Sequence, residues 1–209
     1  MRFFANPSTR QVRDAMTAGL LDVIETPKQG NRPVAGARFC MDNGCFGKGY
    51  PGAAAWFAWL EANAHRAADC AFAVAPDVVG DAAATWERSS HWLPKIRARG
   101  YAAAFVAQDG IEDMAIEWDA FDVLFIGGST EWKLGPAARA ITAEAKRRHK
   151  PVHMGRVNSL SRLRYAGAIG CDSADGTYIS FAPDLNLPHV LGWLRDVNDQ
   201  GVLDFGDTA

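Results

Sequence analysis

The chain has 209 residues, a net charge of −2 and a hydrophobic fraction of 48%. That apolar content supports a real core and excludes intrinsic disorder. The near-neutral charge excludes a protein that coats nucleic acid indiscriminately, although a local basic groove remains compatible with it. No run reaches the ~20 apolar residues of a membrane span, and Met1–Thr9 turns polar too early for a secretory h-region. Cys40, Cys45, Cys70 and Cys171 form no Cys-x-x-Cys pair and have no histidine at zinc spacing. Reduced thiols, no metal, no cofactor and a cytoplasmic setting are the expectation.

Arg2–Ala5 opens the chain as a short apolar strand. Ser8 or Thr9 caps a helix expected to run to about Ile24. After a Pro/Gly/Asn-rich loop, Arg38–Met41 is strand-like and ends at Asp42-Asn43-Gly44. Pro51 opens a helix with Trp56, Trp59 and Leu60 at helical spacing. Cys70–Ala75 is a strand ending at Pro76-Asp77, and Asp81 caps a helix expected to reach Arg99 and stop at Gly100. Tyr101–Ala107 is a strand ending at Gln108, with a helix expected over about Ile111–Trp118. Val123–Ile126 is a strand ending at Gly127-Gly128, followed by a helix over Pro136–His149. Pro151–Met154 is a strand ending at Gly155-Arg156, followed by a helix over Ser159–Ala166. Gly170–Gly176 (GCDSADG) reads as a strand that delivers an acid to a loop. Leu187–Val197 is a last helix. Residues 1–200 are expected to form one domain and residues 201–209 a loose tail.

Strand and helix alternate about seven times, and the strands are nearly continuous in apolar residues. That pattern indicates a parallel sheet covered on both faces. Every strand ends in polar residues or glycine, which favours a closed (β/α)8 barrel over an open doubly wound sheet. The strand ends then bring Asp42, Asn43, Asp77, Gln108, Gly127, Gly128, Met154, Gly155 and Asp172/Asp175 to one mouth. Carboxylates and an amide accept from and donate to a heterocycle edge. Glycines leave backbone N–H open, and an aromatic with a thioether, Phe46 and Met154, holds the ring's two faces. The competing readings are local: turn capping for the aspartates, core packing for Phe46 and Met154, and a solvated face for Arg156, Arg162 and Arg164. His153 sits at a strand end and either lines the pocket or is incidental. Glu131, Trp132 and Lys133 either touch a nucleotide or form a loop tip.

MDNGCFG at Met41–Gly47 resembles the strand-end Asp-Ser-Gly-Gly-aromatic motif of the tRNA-guanine transglycosylase family. PDVVGD at Pro76–Asp81 resembles its second aspartate segment, and FIGGSTEWKLG at Phe125–Gly135 its Gly-Gly-Leu loop. HMGRVNSLSRLRYAGAIGCDSADGT at His153–Thr177 resembles its Met-Gly-x-Gly, helix, Gly-x-Asp-x-x-Asp run. The resemblance implies a (β/α)8 barrel that exchanges guanine in a polynucleotide for a 7-deazaguanine. It implies Asp175 as the nucleophile on the sugar C1′ and Asp42 as the acid/base. It implies base-edge recognition by Asp77 and Gln108, a backbone donor at Gly128, and a stacking pair of Phe46 and Met154. Asp172 is taken as structural. Gly127, Gly155, Asn43 and Arg156 complete the expected substrate site, with Arg156 on a phosphate.

The sequence also departs from the family. No cysteine follows Cys171, so the family's zinc subdomain is expected to be missing, and Asn43 and Cys45 replace the usual Ser and Gly. The Gly-x-Asp-Ser-x-Asp-Gly run together with Gly-Arg-Val-Asn-Ser looks more like the phage and bacterial branch that inserts 7-deazaguanines into DNA. DNA and a free 7-deazaguanine base are therefore the expected partners, in the cytoplasm of a bacterial host. The alternatives are a zinc-free transglycosylase acting on RNA, an unrelated barrel lyase or isomerase of a small metabolite, and a binding protein that has lost its chemistry.

Overall fold

The computed structural model describes residues 1–30, 32–47 and 49–203. Eight parallel strands close in chain order: β1 (Arg2–Ala5), β2 (Asp22–Glu25), β3 (Phe39–Met41), β4 (Cys70–Val74), β5 (Ala103–Ala107), β6 (Val123–Ile126), β7 (Val152–Met154) and β8 (Ser173–Asp175). β8 returns to β1 through the pairs Arg2–Ser173, Phe3–Ala174 and Phe4–Asp175. The fold is thus the closed (β/α)8 barrel, and an open sheet is excluded.

The helices ring the barrel. α1 (Arg10–Thr17) follows β1, α2 (Ala53–Ala62) follows β3, and α3 (Ala82–Ser89) with α4 (Leu93–Arg97) follow β4. α5 (Thr130–Lys133) and α6 (Pro136–Arg147) follow β6, α7 (Leu160–Ala168) follows β7, and α8 (Tyr178–Phe181) with α9 (Pro183–Leu203) follow β8.

Alternation along each strand divides the core in two. Phe3, Val23, Met41, Phe105, Leu124 and Met154 face outward and pack against helix residues such as Trp56, Leu60 and Leu163. Phe4, Cys40, Phe72, Val74, Ala104, Val106, Val123 and Phe125 face inward and fill the ring.

Four expected elements come out differently. The first helix does not reach Ile24. Thr9 caps it, Gly19 ends its run at φ 73, and residues 22–25 become β2. β2 is disguised in the sequence because Asp22 occupies an inward position, buried to 1% exposure and gripped by both arms of the Arg2 guanidinium. The helix expected over 81–99 is two, because Pro94 cannot continue the hydrogen-bond ladder and instead opens α4. Between β5 and β6 there are only two 3₁₀ turns, Ile111–Asp113 and Trp118–Ala120. The final helix spans Pro183–Leu203, so it takes in the start of the expected tail, while residues 204–209 lie outside the described residues.

Phe105 is fully buried between Trp86 at 5.4 Å and Phe121 at 5.3 Å. Phe105→Ala is expected to cost about 3–5 kcal/mol, as for other large aromatic truncations in cores. Chemical denaturation with the midpoint and slope fitted separately measures it.

Candidate active site

A cavity of about 280 Å³ opens at the C-terminal ends of the strands. Its wall takes Asp42, Asn43 and Gly44 from the end of β3, Asp77 from beyond β4, and Gln108 from beyond β5. Gly127 and Gly128 come from β6, Gly155 and Arg156 from β7, and Asp175 from β8, with Phe46 at the rim. All of these except Gly44 are expected site residues, and they meet around one space. A larger hollow, of about 770 Å³, lies at the opposite end around Met1, Arg2, Asp22 and Leu194. The only charged pair it presents from the strands is Arg2–Asp22, already closed on itself. Barrel chemistry belongs to the C-terminal face, and the smaller cavity holds the converging acids.

Two expected site residues stand elsewhere. Met154 is fully buried and packs in the outer core, because alternation on β7 turns His153 inward and Met154 outward. It cannot cover a ring in the cavity. Asp172 precedes β8, at the end remote from Asp175, where it pairs with Lys146 Nζ at 2.7 Å and accepts from the Val152 N–H at 2.8 Å.

The glycines also play a different part from the one expected. Gly127 N–H donates to the Ala107 carbonyl at 3.0 Å, Gly155 N–H to the Ile126 carbonyl at 3.1 Å, and Gly128 N–H to Gln108 Oε1 at 2.8 Å. None of the three is an open donor. Space is what requires glycine. A Cβ on Gly127 would lie 2.6 Å from Val106 Cγ1, and one on Gly155 would lie 2.7 Å from Phe125 Cε1.

Asn43, Asp77 and Gln108 form one network. Asn43 Nδ2 donates to Asp77 Oδ1 at 2.8 Å and to the Ala75 carbonyl at 2.7 Å, while its Oδ1 accepts from Cys45 N–H at 2.7 Å. Gln108 Nε2 donates to Asp77 Oδ2 at 2.5 Å, and its Oε1 accepts from Gly80 N–H as well as Gly128 N–H. Asn43 is thereby spent on positioning. Burial raises the Asp77 carboxyl above its usual range, against the lowering effect of both amides.

Asp42 lies half-buried across the cavity and accepts from the Gly44 N–H at 2.7 Å. Burial pushes its carboxyl up to about 7, the Gly44 bond opposes this, and the charges of Asp175 and Asp77 add to it. Asp175 accepts from the Arg156 N–H at 3.2 Å on Oδ1, and its Oδ2 pairs with His153 Nε2 at 2.9 Å. Arg156 holds a left-handed backbone at φ 61, donates a guanidinium N–H to the Gly128 carbonyl, and stacks 4.0 Å above the Phe46 ring.

Phe125 gains a place that was not expected of it, and His153 and Lys133, for which two readings stood open, are each given one position. His153 lies under the cavity floor, fully buried against Phe4, Phe72 and Phe125. Phe125 itself lines the cavity. Lys133 is 4% exposed and its Nζ donates to the Gly155 carbonyl at 2.5 Å; burial first, then Arg156, draws its pKa down to about 7. The signal for the first two is parity: two residues before Gly155 and Gly127 on their strands, a side chain must face inward. The sequence carries no such signal for Lys133, which sits on a four-residue helix capped by Ser129. Among the described residues no group of three or more His, Cys, Asp or Glu is placed to hold a metal ion, and all four cysteines are free.

No family model matches the chain, and no curated protein matches it. Among solved structures, a tryptophan synthase from M. tuberculosis in its aminoacrylate- and BRD0059-bound form aligns over 90% of this chain with a TM-score of 0.49 at 13% identity. This chain covers 64% of that one. A likeness so distant carries no argument about function.

Asp42 makes the fold pH-dependent. Its native pKa of about 7 exceeds the ordinary 3.8, so between those values the folded state holds a proton that the unfolded chain has lost. Stability therefore falls as pH rises through that window. Asp42→Asn keeps the Gly44 bond and removes the titration. It is expected to be more stable than the parent at pH 8, by about 4 kcal/mol at most, with the gain vanishing near pH 4. Paired denaturation curves across pH check this.

Proposed function

We propose that this chain is a base-exchange glycosyltransferase that replaces guanine in DNA with a 7-deazaguanine through a covalent aspartyl-sugar intermediate. The observation that carries the reading is the pair Asp42 and Asp175 on one cavity, in unlike surroundings. Among the described residues Asp42 has the Gly44 N–H alone on it, and its carboxyl is raised to about 7, which suits a group that gives and takes a proton at neutral pH. Asp175 has an N–H on one oxygen and an imidazole nitrogen on the other, which suits a carboxylate held in place to attack.

An Asp175 oxygen bonds to C1′ as the glycosidic C–N bond breaks, and the departing guanine takes its proton from Asp42. The incoming base gives its ring N–H proton to Asp42 and attacks C1′, and the ester bond breaks. Asp77 and Gln108 line the same cavity, fixed by their mutual hydrogen bond, and the second Gln108 Nε2–H and the remaining Asp77 lone pairs are what they have left for a guanine edge. The cavity, about 280 Å³, matches a single heterocycle at the small end of ligand sites. A base drawn from duplex DNA loses a few kcal/mol of stacking and pairing, and Phe46 and Phe125 give it aromatic surface in return. DNA is preferred to RNA on the Gly155–Ser159 run, by resemblance.

A metabolite lyase or isomerase has less support. Such barrels hold phosphate on free N–H groups after β7 and β8. Here the Thr177 and Tyr178 N–H groups are spent on Asn158 Oδ1 at 2.7 and 3.0 Å.

The test is labelled guanine offered in parallel with DNA, RNA and free nucleoside. Label entering DNA supports the reading, label entering RNA alone moves it to the RNA enzyme, and label entering none of them overturns it. Asp175→Asn is expected to abolish exchange, and exchange at the parent rate would reject its role. Asp42→Asn is expected to bind DNA with little change while product formation stops; equilibrium binding and product mass, measured on the same preparation, separate the two effects.

A further inference from the structure

His153 is a buried titratable group in contact with Asp175 that the exchange does not use. It has no solvent exposure, and its ring lies 4.6 Å from Phe125, 5.1 Å from Phe72 and 5.6 Å from Phe4. Nothing about that aromatic cage requires an imidazole, since the neighbouring inward residues are apolar. Its two nitrogens are nonetheless both committed. Nδ1 meets Ser173 Oγ at 2.8 Å and Nε2 meets Asp175 Oδ2 at 2.9 Å. A carboxylate can only accept, so Nε2 carries the proton and donates to Asp175. In the neutral ring Nδ1 then accepts from the Ser173 hydroxyl. Ser173 therefore fixes which nitrogen faces the acid, and the cage fixes the plane of the ring.

We infer that His153 is a positioning residue that acts on Asp175 chiefly in the second half of the exchange, when the aspartyl ester must break. The inference rests on the base-exchange reading. As the incoming base attacks C1′, the electron pair of the C1′–O bond returns to the Asp175 carboxylate. That charge reappears over an aromatic floor closed to water, where a fixed N–H donor counts for more than it would in solvent. The Arg156 backbone N–H serves the other oxygen from above. His153 is the side-chain donor from below. Ester formation uses the charge up, so the same donor gives that step less help.

The decisive variants are His153→Phe, which keeps a ring in the cage and removes the donor, and His153→Gln, which returns an amide N–H. Protein joined to oligonucleotide is followed by mass as it forms, and again as it is discharged by added 7-deazaguanine. His153→Phe is expected to accumulate the adduct and discharge it roughly ten- to a hundredfold more slowly, the range of one hydrogen bond to a charged group. Adduct formation is expected to change far less, and His153→Gln to recover most of the discharge rate. Equal rates in the Phe and Gln variants, or parent-like discharge in His153→Phe, overturn the inference. If His153→Phe does not fold, Ser173→Ala keeps the imidazole and releases its orientation. Slower discharge in that variant supports the inference, and unchanged discharge overturns it. A parent protein that forms neither adduct nor product overturns the base-exchange reading and this inference with it. A parent that forms both, with unaltered variants, overturns the inference alone.

Discussion

β1 pairs with β8 through Arg2–Ser173, Phe3–Ala174 and Phe4–Asp175, and that register closes the ring. Once the ring is closed, each strand has one inward face and one outward face, with no edge left to relax toward. The last inward residues of β3, β5, β6, β7 and β8 must then approach one another above a common floor. Asp42, Gln108, Gly127, Gly155 and Asp175 are those residues or their immediate successors, and all line one cavity. The chemistry of the mouth is a consequence of strand parity. The connections after β2, β3 and β4 add Thr26, Phe46 and Val79 to that wall.

Closure also concentrates acid. Asp42, Asp77 and Asp175 share a space of about 280 Å³, and each influences the protonation of Asp42. The fold answers each carboxyl differently. Asp77 receives two side-chain amides, Asp175 an imidazole and a backbone N–H, and Asp42 one backbone N–H. The least supported of the three has its titration moved to neutrality. Unequal support of like groups is how one small site can hold carboxyls in different protonation states at one pH.

Much of this was legible in the residues. Seven of the strands and the polar punctuation at their ends could be read directly, and so could the polar half of the cavity wall, while apolar members such as Ile24, Val74, Val106 and Phe125 could not. β2 was hidden because its inward Asp22 is a charged residue in a strand, made tolerable by Arg2 from a neighbouring strand that the local sequence does not show. Met154 was misplaced because spacing from Gly155 suggests the mouth, while alternation from His153 decides the face. The glycines were read for their N–H groups, when Val106, Phe125 and Gln108 had already determined how those positions are filled. A short segment shows which residues reach a site. It does not show which of their hydrogen bonds are already taken, because many of the partners, as for Asn43 with Asp77 and Gly128 with Gln108, lie far along the chain.

Arg156 spans the mouth from the β7 turn, with its guanidinium on the Phe46 face and one N–H on the Gly128 carbonyl. A flat guest that seeks Phe46 therefore meets a surface that already has a tenant. The net attraction of any such guest to that ring is the difference between two stackings, guest on phenyl less guanidinium on phenyl. Weakly stacking rings are disfavoured by that difference without any contact devoted to excluding them. A guanidinium displaced in this way is left at the rim with its charge unpaired.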